Sequence, residues 1–91
     1  MSEIVSFQAV ILGRVQGVGF RYFARQRAEA HGIAGFVRNL PDGSVEVHAE
    51  GPAAALASFE SDIRVGPTFG RVEDANVLKT KPRGFEGFEI R

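Results

Sequence analysis

The chain predicts an α+β fold, with two helices on one face of an antiparallel sheet, in the order β-α-β-β-α-β plus a short terminal strand. Three observations carry that expectation. Several segments alternate apolar and polar residues, as half-buried strands do. Two segments between them repeat apolar residues at three- and four-residue spacing, as amphipathic helices do. Glycine and proline fall where one pattern gives way to the other. With 91 residues and no cysteine, one core must stabilise everything, so residues 1–91 are expected to form a single domain.

Residues 5–15 read as the first strand. Val5, Phe7, Ala9 and Ile11 share one face. Val10 and Leu12 are apolar on the other, which predicts a central strand with both faces partly covered. After a glycine-containing loop, Phe20 to His31 reads as a helix. Phe20, Ala24 and Ala28 recur at four-residue spacing with Phe23 beside them, and Gly32 is a natural terminator. Residues 33–40 and 44–50 read as strands joined by the tight-turn sequence Pro41-Asp42-Gly43. In the second of them Val45, Val47 and Ala49 point one way, and Glu46, His48 and Glu50 the other. Gly51-Pro52 opens a second helix with an apolar stripe of Leu56, Phe59 and Ile63, and Gly66-Pro67 ends it. Residues 72–81 and 85–90 complete the strands. The arrangement is that of a ferredoxin-like α/β sandwich. Its right-handed strand-helix-strand crossover makes the first two strands parallel. Arg21, at the start of the first helix, is therefore expected beside Arg38 and Asn39, at the end of the second strand.

The loop before Arg21 lacks what a helix start normally carries. Between Arg14 and Arg21 there is no Ser, Thr, Asp or Asn to cap the helix, and the first turn holds a cation rather than an acid. Free amides, the positive end of a helix dipole, two glycines and a guanidinium make a socket for an anion, most naturally a phosphate. Elsewhere the charge is balanced: eleven basic residues face eleven acidic ones. That argues against a broad nucleic-acid or anionic-membrane surface, so anion recognition should be local. Absence of cysteine excludes a zinc-thiolate site and a cysteine nucleophile. Neither a signal peptide nor a membrane-length apolar run is visible, and the expected location is cytoplasmic.

A phosphate held this way is neutralised and oriented, which is most of what phosphoryl transfer needs. No Ser, Thr or Cys in the loop can serve as nucleophile, and neither histidine falls there. Water is the remaining candidate, and Asn39 is the group placed to hold it through its amide oxygen and nitrogen. A carboxamide is a poor base. The substrate should then have a leaving group that needs no proton donor, such as a carboxylate with a conjugate-acid pKa of about 4.

The run GRVQGVGFR at Gly13–Arg21, followed by GFVRNLPDGSVEV at Gly35–Val47, resembles the acylphosphatase family. The likeness continues through Gly66-Pro67, Arg71-Val72-Glu73 and Phe88-Glu89-Ile90-Arg91. It implies a metal-independent, cofactor-free hydrolase that splits acyl phosphates into carboxylate and inorganic phosphate. It further implies that Arg21 binds the phosphate, that Val15, Gln16, Gly17, Val18, Gly19 and Phe20 contribute backbone amides, and that Asn39 positions the water. Leu40 departs from the family pattern, where a small polar residue is common; the essential positions are intact, and the departure bears on rate or substrate preference. A monomer acting on a small molecule, with no nucleic-acid or membrane partner, is the matching expectation.

Other readings stay open at this point. The chain suits a non-catalytic phosphate-binding module or a regulatory domain of a larger protein, although its length favours a free-standing enzyme. RNA binding is disfavoured, because the strand at residues 44–50 has no aromatic and carries two glutamates. Arg21 alone would pass for a surface arginine, and Asn39 for the start of the turn. Arg38 is expected to be a solvated strand residue, Arg25 to pair with Glu29, and His31 to be structural. His48 with Glu46 and Glu50 is expected to form a solvated face rather than a metal site. Phe69, Phe85 and Phe88 are expected to pack in the core or at its edge.

Overall fold

Alternation buries Phe7, Ala9 and Ile11 on one face of the first strand, β1 (Ile4–Arg14), and the two helices pack on that face. In the computed structural model, which describes residues 3–91, they are α1 (Phe20–His31), β2 (Ala34–Asn39), β3 (Val45–Pro52), α2 (Ala53–Val65), β4 (Arg71–Thr80) and β5 (Phe88–Ile90). Met1 and Ser2, which the sequence reading counts within the domain, lie outside the described residues.

The sheet order is β4-β1-β3-β2-β5. Its first four strands pair antiparallel, as expected, while β5 runs parallel to β2 and makes the sheet mixed. Both helices pack on one face. Ala24 and Ala28 of α1, and Leu56, Phe59 and Ile63 of α2, meet Val37, Val45, Val47 and Ala49 there. Phe7 stacks on Phe59, with ring centroids 6.3 Å apart. Glycines set the limits of α1: Gly19 and Gly32 are both left-handed, and the Gly32 amide closes the last turn onto Ala28 and Glu29.

One register fact positions the site. Val45 pairs with Ile11 on one side and Asn39 on the other. The end of β2 is therefore level with the end of β1, two strand spacings away, or about 10 Å. A bulge at Leu12/Gly13 bends β1 after its last pair with β3, while pairing with β4 continues to Arg14. Only glycine fits there, since a Cβ on Gly13 would sit 2.2 Å from the Arg71 carbonyl oxygen.

The other face of the sheet departs from the sequence reading. His48 is fully buried and Glu50 nearly so, because residues 81–87 cross over them. Glu50 accepts hydrogen bonds from the amides of Arg83 (2.5 Å), Gly84 (2.9 Å) and Phe85 (3.0 Å), and from His48 Nε2 (2.8 Å). The His48 ring lies against Phe36 and Phe85, and Arg91 covers both phenylalanines. The expected solvated face is thus a buried polar network. Alternation identifies which residues share a face but not whether a later segment covers it. The same segment takes Phe85 out of the terminal strand. Phe88 packs against Phe59 as expected, whereas Phe69 is 79% exposed in the loop after α2.

Candidate active site

Leaving the β1 bulge, the chain runs through Val15, which is buried, to Gly17 and Gly19, whose φ angles are 74° and 78°. Those left-handed turns curl residues 15–19 into a loop that ends as the N-cap of α1. No side chain caps the helix and its first turn holds no acid. The first amide of α1 to find an acceptor is that of Phe23, which donates to the Gly19 carbonyl at 3.0 Å. Among the described residues, no turn, loop or side-chain hydrogen bond is donated by an amide of residues 16–22. This is the positive end of a helix dipole with its donors unspent on the protein.

Arg21 is half-buried at this end and has no ion pair among the described residues, unlike Arg27, Arg38, Arg64 and Arg91. Strand alternation puts Asn39 on the helix side of β2, like buried Val37, and Arg38 on the other. Val15, Gly17, Gly19, Phe20, Arg21, Tyr22 and Asn39 line one cleft of about 140 Å³. A water occupies roughly 30 Å³ in the liquid, so this volume suits a small tetrahedral oxyanion and its attacking water rather than a nucleotide. Arg21, Asn39 and the loop, separated in sequence, thus come together. Gln16 and Val18 belong to the same loop, but their side chains do not line the cleft.

The Gln16 side chain has a different task. Its Nε2 donates to the carbonyls of Leu40 (2.7 Å) and Ser44 (2.9 Å), tying the loop to the β2–β3 turn. The turn is closed by Leu40 N to Ser44 O at 2.9 Å and by Asp42, which accepts from the Ser44 hydroxyl and amide. Those bonds, from the Ser44 side chain first and its amide second, hold the Asp42 carboxyl below its ordinary range. Leu40 contributes to the turn and to the Gln16 contact through its backbone. Sequence reasoning gave Gln16 only an amide role; its side chain spans elements that become neighbours only in the folded molecule. Tyr22 was also missed, although its place beside Arg21 in an uncapped first turn was a signal.

Neighbouring expectations divide. Arg38 is half-exposed, but it is ion-paired to Glu46 rather than merely solvated. Arg25 makes no ion pair with Glu29; its guanidinium lies 5.4 Å from the Tyr22 ring centroid. His31 is structural, bonded with Arg27 to Asp62 across the two helices. Hydrogen bonding from Arg27 is the main cause that lowers the Asp62 pKa; burial opposes it and His31 adds to it. Among the described residues no three His, Cys, Asp or Glu side chains group as metal ligands, and no helix is long and apolar enough to cross a membrane.

With this geometry in view, comparison with known proteins is specific. The family model for acylphosphatase matches residues 7–90. A Thermus thermophilus acylphosphatase is 46% identical over 82 residues, which is 90% of this chain and 93% of that protein. One from Salinibacter ruber is 49% identical over 84 residues, 91% of this chain and 88% of that protein. The crystal structure of acylphosphatase from Bacillus subtilis superposes with a TM-score of 0.93 at 41% identity, covering 96% of this chain and 98% of that one.

Proposed function

The chain belongs to the acylphosphatase family and is an acylphosphatase; on that premise we propose how its residues divide the reaction. Residues 1–91 act as one catalytic unit. The phosphate of an acyl phosphate sits in the cleft, with amides of residues 15–20 and the Arg21 guanidinium on its oxygens. Asn39 holds a water against the opposite side of phosphorus. The water oxygen bonds to phosphorus as the bond to the acyl oxygen breaks, and the electron pair leaves with the carboxylate. No carboxylate or imidazole lines the cleft, so the water's proton passes to a phosphate oxygen or to solvent. Positioning and charge neutralisation supply the rate, as phosphoryl transfer with a good leaving group allows.

One observation carries this reading: loop residues whose amides donate to no turn, loop or side-chain acceptor among the described residues line a single cleft with Asn39 and with Arg21, which has no ion pair among them. It favours catalysis over a bare phosphate sensor, because a sensor has no use for a water-holding amide beside the anion. The enzyme works as a monomer in the cytoplasm and needs no metal. The test follows loss of benzoyl phosphate in the presence of a chelator. Arg21→Ala removes binding and turnover, and Asn39→Ala cuts kcat by ~10²–10³-fold while inorganic phosphate still competes. Undiminished hydrolysis in both variants would overturn the residue assignment.

A further inference from the structure

On the sheet face away from the helices, a chain of side-chain hydrogen bonds crosses the adjacent strands β2, β3 and β1. It starts at Arg38, which is ion-paired to Glu46. Glu46 also accepts from Gln8 Nε2 at 2.8 Å. The other end of the Gln8 amide, Oε1, meets His48 Nδ1 at 2.9 Å, and His48 Nε2 meets Glu50 Oε2 at 2.8 Å. Glu50 ends the chain on the amides of Arg83, Gly84 and Phe85.

The two ends fix the direction of every donor between them, because a carboxylate only accepts. Glu46 meets the Arg38 guanidinium as a carboxylate. The Gln8 atom turned toward it must therefore be the amide nitrogen, and the atom turned toward His48 the oxygen. Glu50 is a carboxylate as well. Burial pushes its carboxyl up, but hydrogen bonds from the Arg83 amide, His48 and the Phe85 and Gly84 amides outweigh it and leave the group below its ordinary 4.5. His48 thus has an acceptor on each ring nitrogen. A neutral imidazole carries one N–H, so either tautomer turns a lone pair onto an oxygen. Turning the Gln8 amide over moves that clash to Glu46 without removing it. Only the doubly protonated ring satisfies the whole chain.

The surroundings suit a charge there. His48 is fully buried, and its counter-ion Glu50 is in direct contact. The ring centroids of Phe36 and Phe85 lie 5.8 Å and 5.3 Å from that of His48, within range of a cation–π attraction. Arg91 covers the same two phenylalanines. Lys81, Arg83 and Glu86 of the crossing segment are exposed, and the β4 residue level with Gln8 is the uncharged Leu78.

We infer that His48 is a buried imidazolium in the folded protein, and that its second proton helps to fasten residues 81–87 across the sheet. The unfolded chain gives that proton up above about pH 6.5. The folded state then binds one proton more than the unfolded one. The contribution is therefore complete below that pH and declines as pH rises.

The experiment has two parts. Nitrogen-15 NMR of the wild type at about pH 8, where an ordinary histidine is neutral, should show a proton on both ring nitrogens of His48; His31→Asn assigns the signals. The second part compares wild type with His48→Gln by urea unfolding from pH 6 upward, and by exchange of the Arg83, Gly84 and Phe85 amides. Comparison at each pH cancels the contribution of His31 and the direct effect of pH on exchange. Above about pH 6.5 the ratio of the variant's unfolding constant to the wild type's should fall by up to about tenfold per pH unit, and the ratio of amide opening constants should fall with it. A ring nitrogen without a proton, or ratios independent of pH, would overturn the imidazolium. A fixed exchange ratio beside a falling unfolding ratio would overturn its part in fastening residues 81–87. If His48→Gln does not fold, the wild-type ring spectrum decides alone.

Discussion

Two stretches of main chain in this molecule line up successive amides, and they are finished differently. At residues 83–85 the acceptor is the chain's own: Glu50 takes all three amides and a ring nitrogen of His48. At residues 16–20 no turn, loop or side-chain acceptor is found among the described residues, and Arg21 adds positive charge where a helix start disfavours it. The first arrangement serves stability, fastening residues 81–87 across the sheet. The second forgoes the stability a cap would give, and under the proposed phosphate-binding role its donors are left for a substrate. The same backbone chemistry thus has opposite purposes on opposite faces, and the difference is whether a carboxylate lies within reach.

The sharpest break of this comparison is a crossed pair of substitutions. Arg21→Ala is expected to abolish turnover, a loss of at least ~10³-fold, while raising stability by roughly 0.5 kcal/mol as a misplaced cation leaves the helix start. Glu50→Ala is expected to do the reverse. It strands three amides and a buried imidazole, costs about 3 kcal/mol, and lowers Tm by roughly 15 °C. Activity per folded molecule should persist, because the network lies on the sheet face away from the cleft. Urea unfolding and benzoyl phosphate turnover on both variants read the cross. If Arg21→Ala were clearly less stable, or folded Glu50→Ala inactive, the two regions would not be separable.

These regions were unequally legible in the sequence. The loop announced itself because its signals are local: glycines at turn positions, a missing cap, a cation one residue into the helix. Asn39 needed one topological step, the crossover that makes β1 and β2 parallel, and the Ile11–Val45–Asn39 register bears out that the two strands are parallel and end level. Nothing comparable marked His48 and Glu50. Their alternation with Val47 and Ala49 placed them correctly on the face away from the helices. What buries them is a segment more than thirty residues later, and no local pattern says where such a segment will lie. Phe69 failed for the same reason in reverse. An aromatic next to Gly70 resembles core packing until the loop's path is known, and that path leaves it in solvent.

Gln16 ties the loop on one side of the cleft to the β2–β3 turn on the other, so it sharpens the comparison by a smaller amount. Gln16→Ala removes both side-chain bonds to Leu40 and Ser44 without touching a cleft-lining side chain. If the clamp sets the distance between the loop amides and Asn39, kcat should fall about tenfold, since slight misplacement of reacting groups is costly. Inhibition by phosphate, which needs only the loop and Arg21, should change far less. Equal losses in both would assign Gln16 to binding rather than to positioning the turn.

The smallest effect concerns pH, and of the two amide stretches only the one at residues 83–85 has a titrating acceptor to show it. Burial pushes the Glu50 carboxyl up, but hydrogen bonds from the Arg83 amide, His48 and the Phe85 and Gly84 amides outweigh it and leave the group below its ordinary 4.5. A carboxyl that titrates lower in the folded chain stabilises fully above the unfolded value, and that contribution is lost as pH falls through the folded one. Asp42 and Asp62 are lowered too, so wild-type acid sensitivity alone would not single out Glu50. The difference from Glu50→Gln does, because that variant keeps the other two carboxyls and cannot ionise at position 50. Near neutral pH the variant should be less stable, its amide nitrogen facing N–H donors. As pH falls below the ordinary carboxyl value of 4.5 the gap in urea midpoint should narrow, because wild-type Glu50 takes up its proton there. A gap that stays constant over this range would mean the carboxylate charge contributes nothing to holding residues 83–85, and the parallel with the phosphate loop would reduce to one of shape.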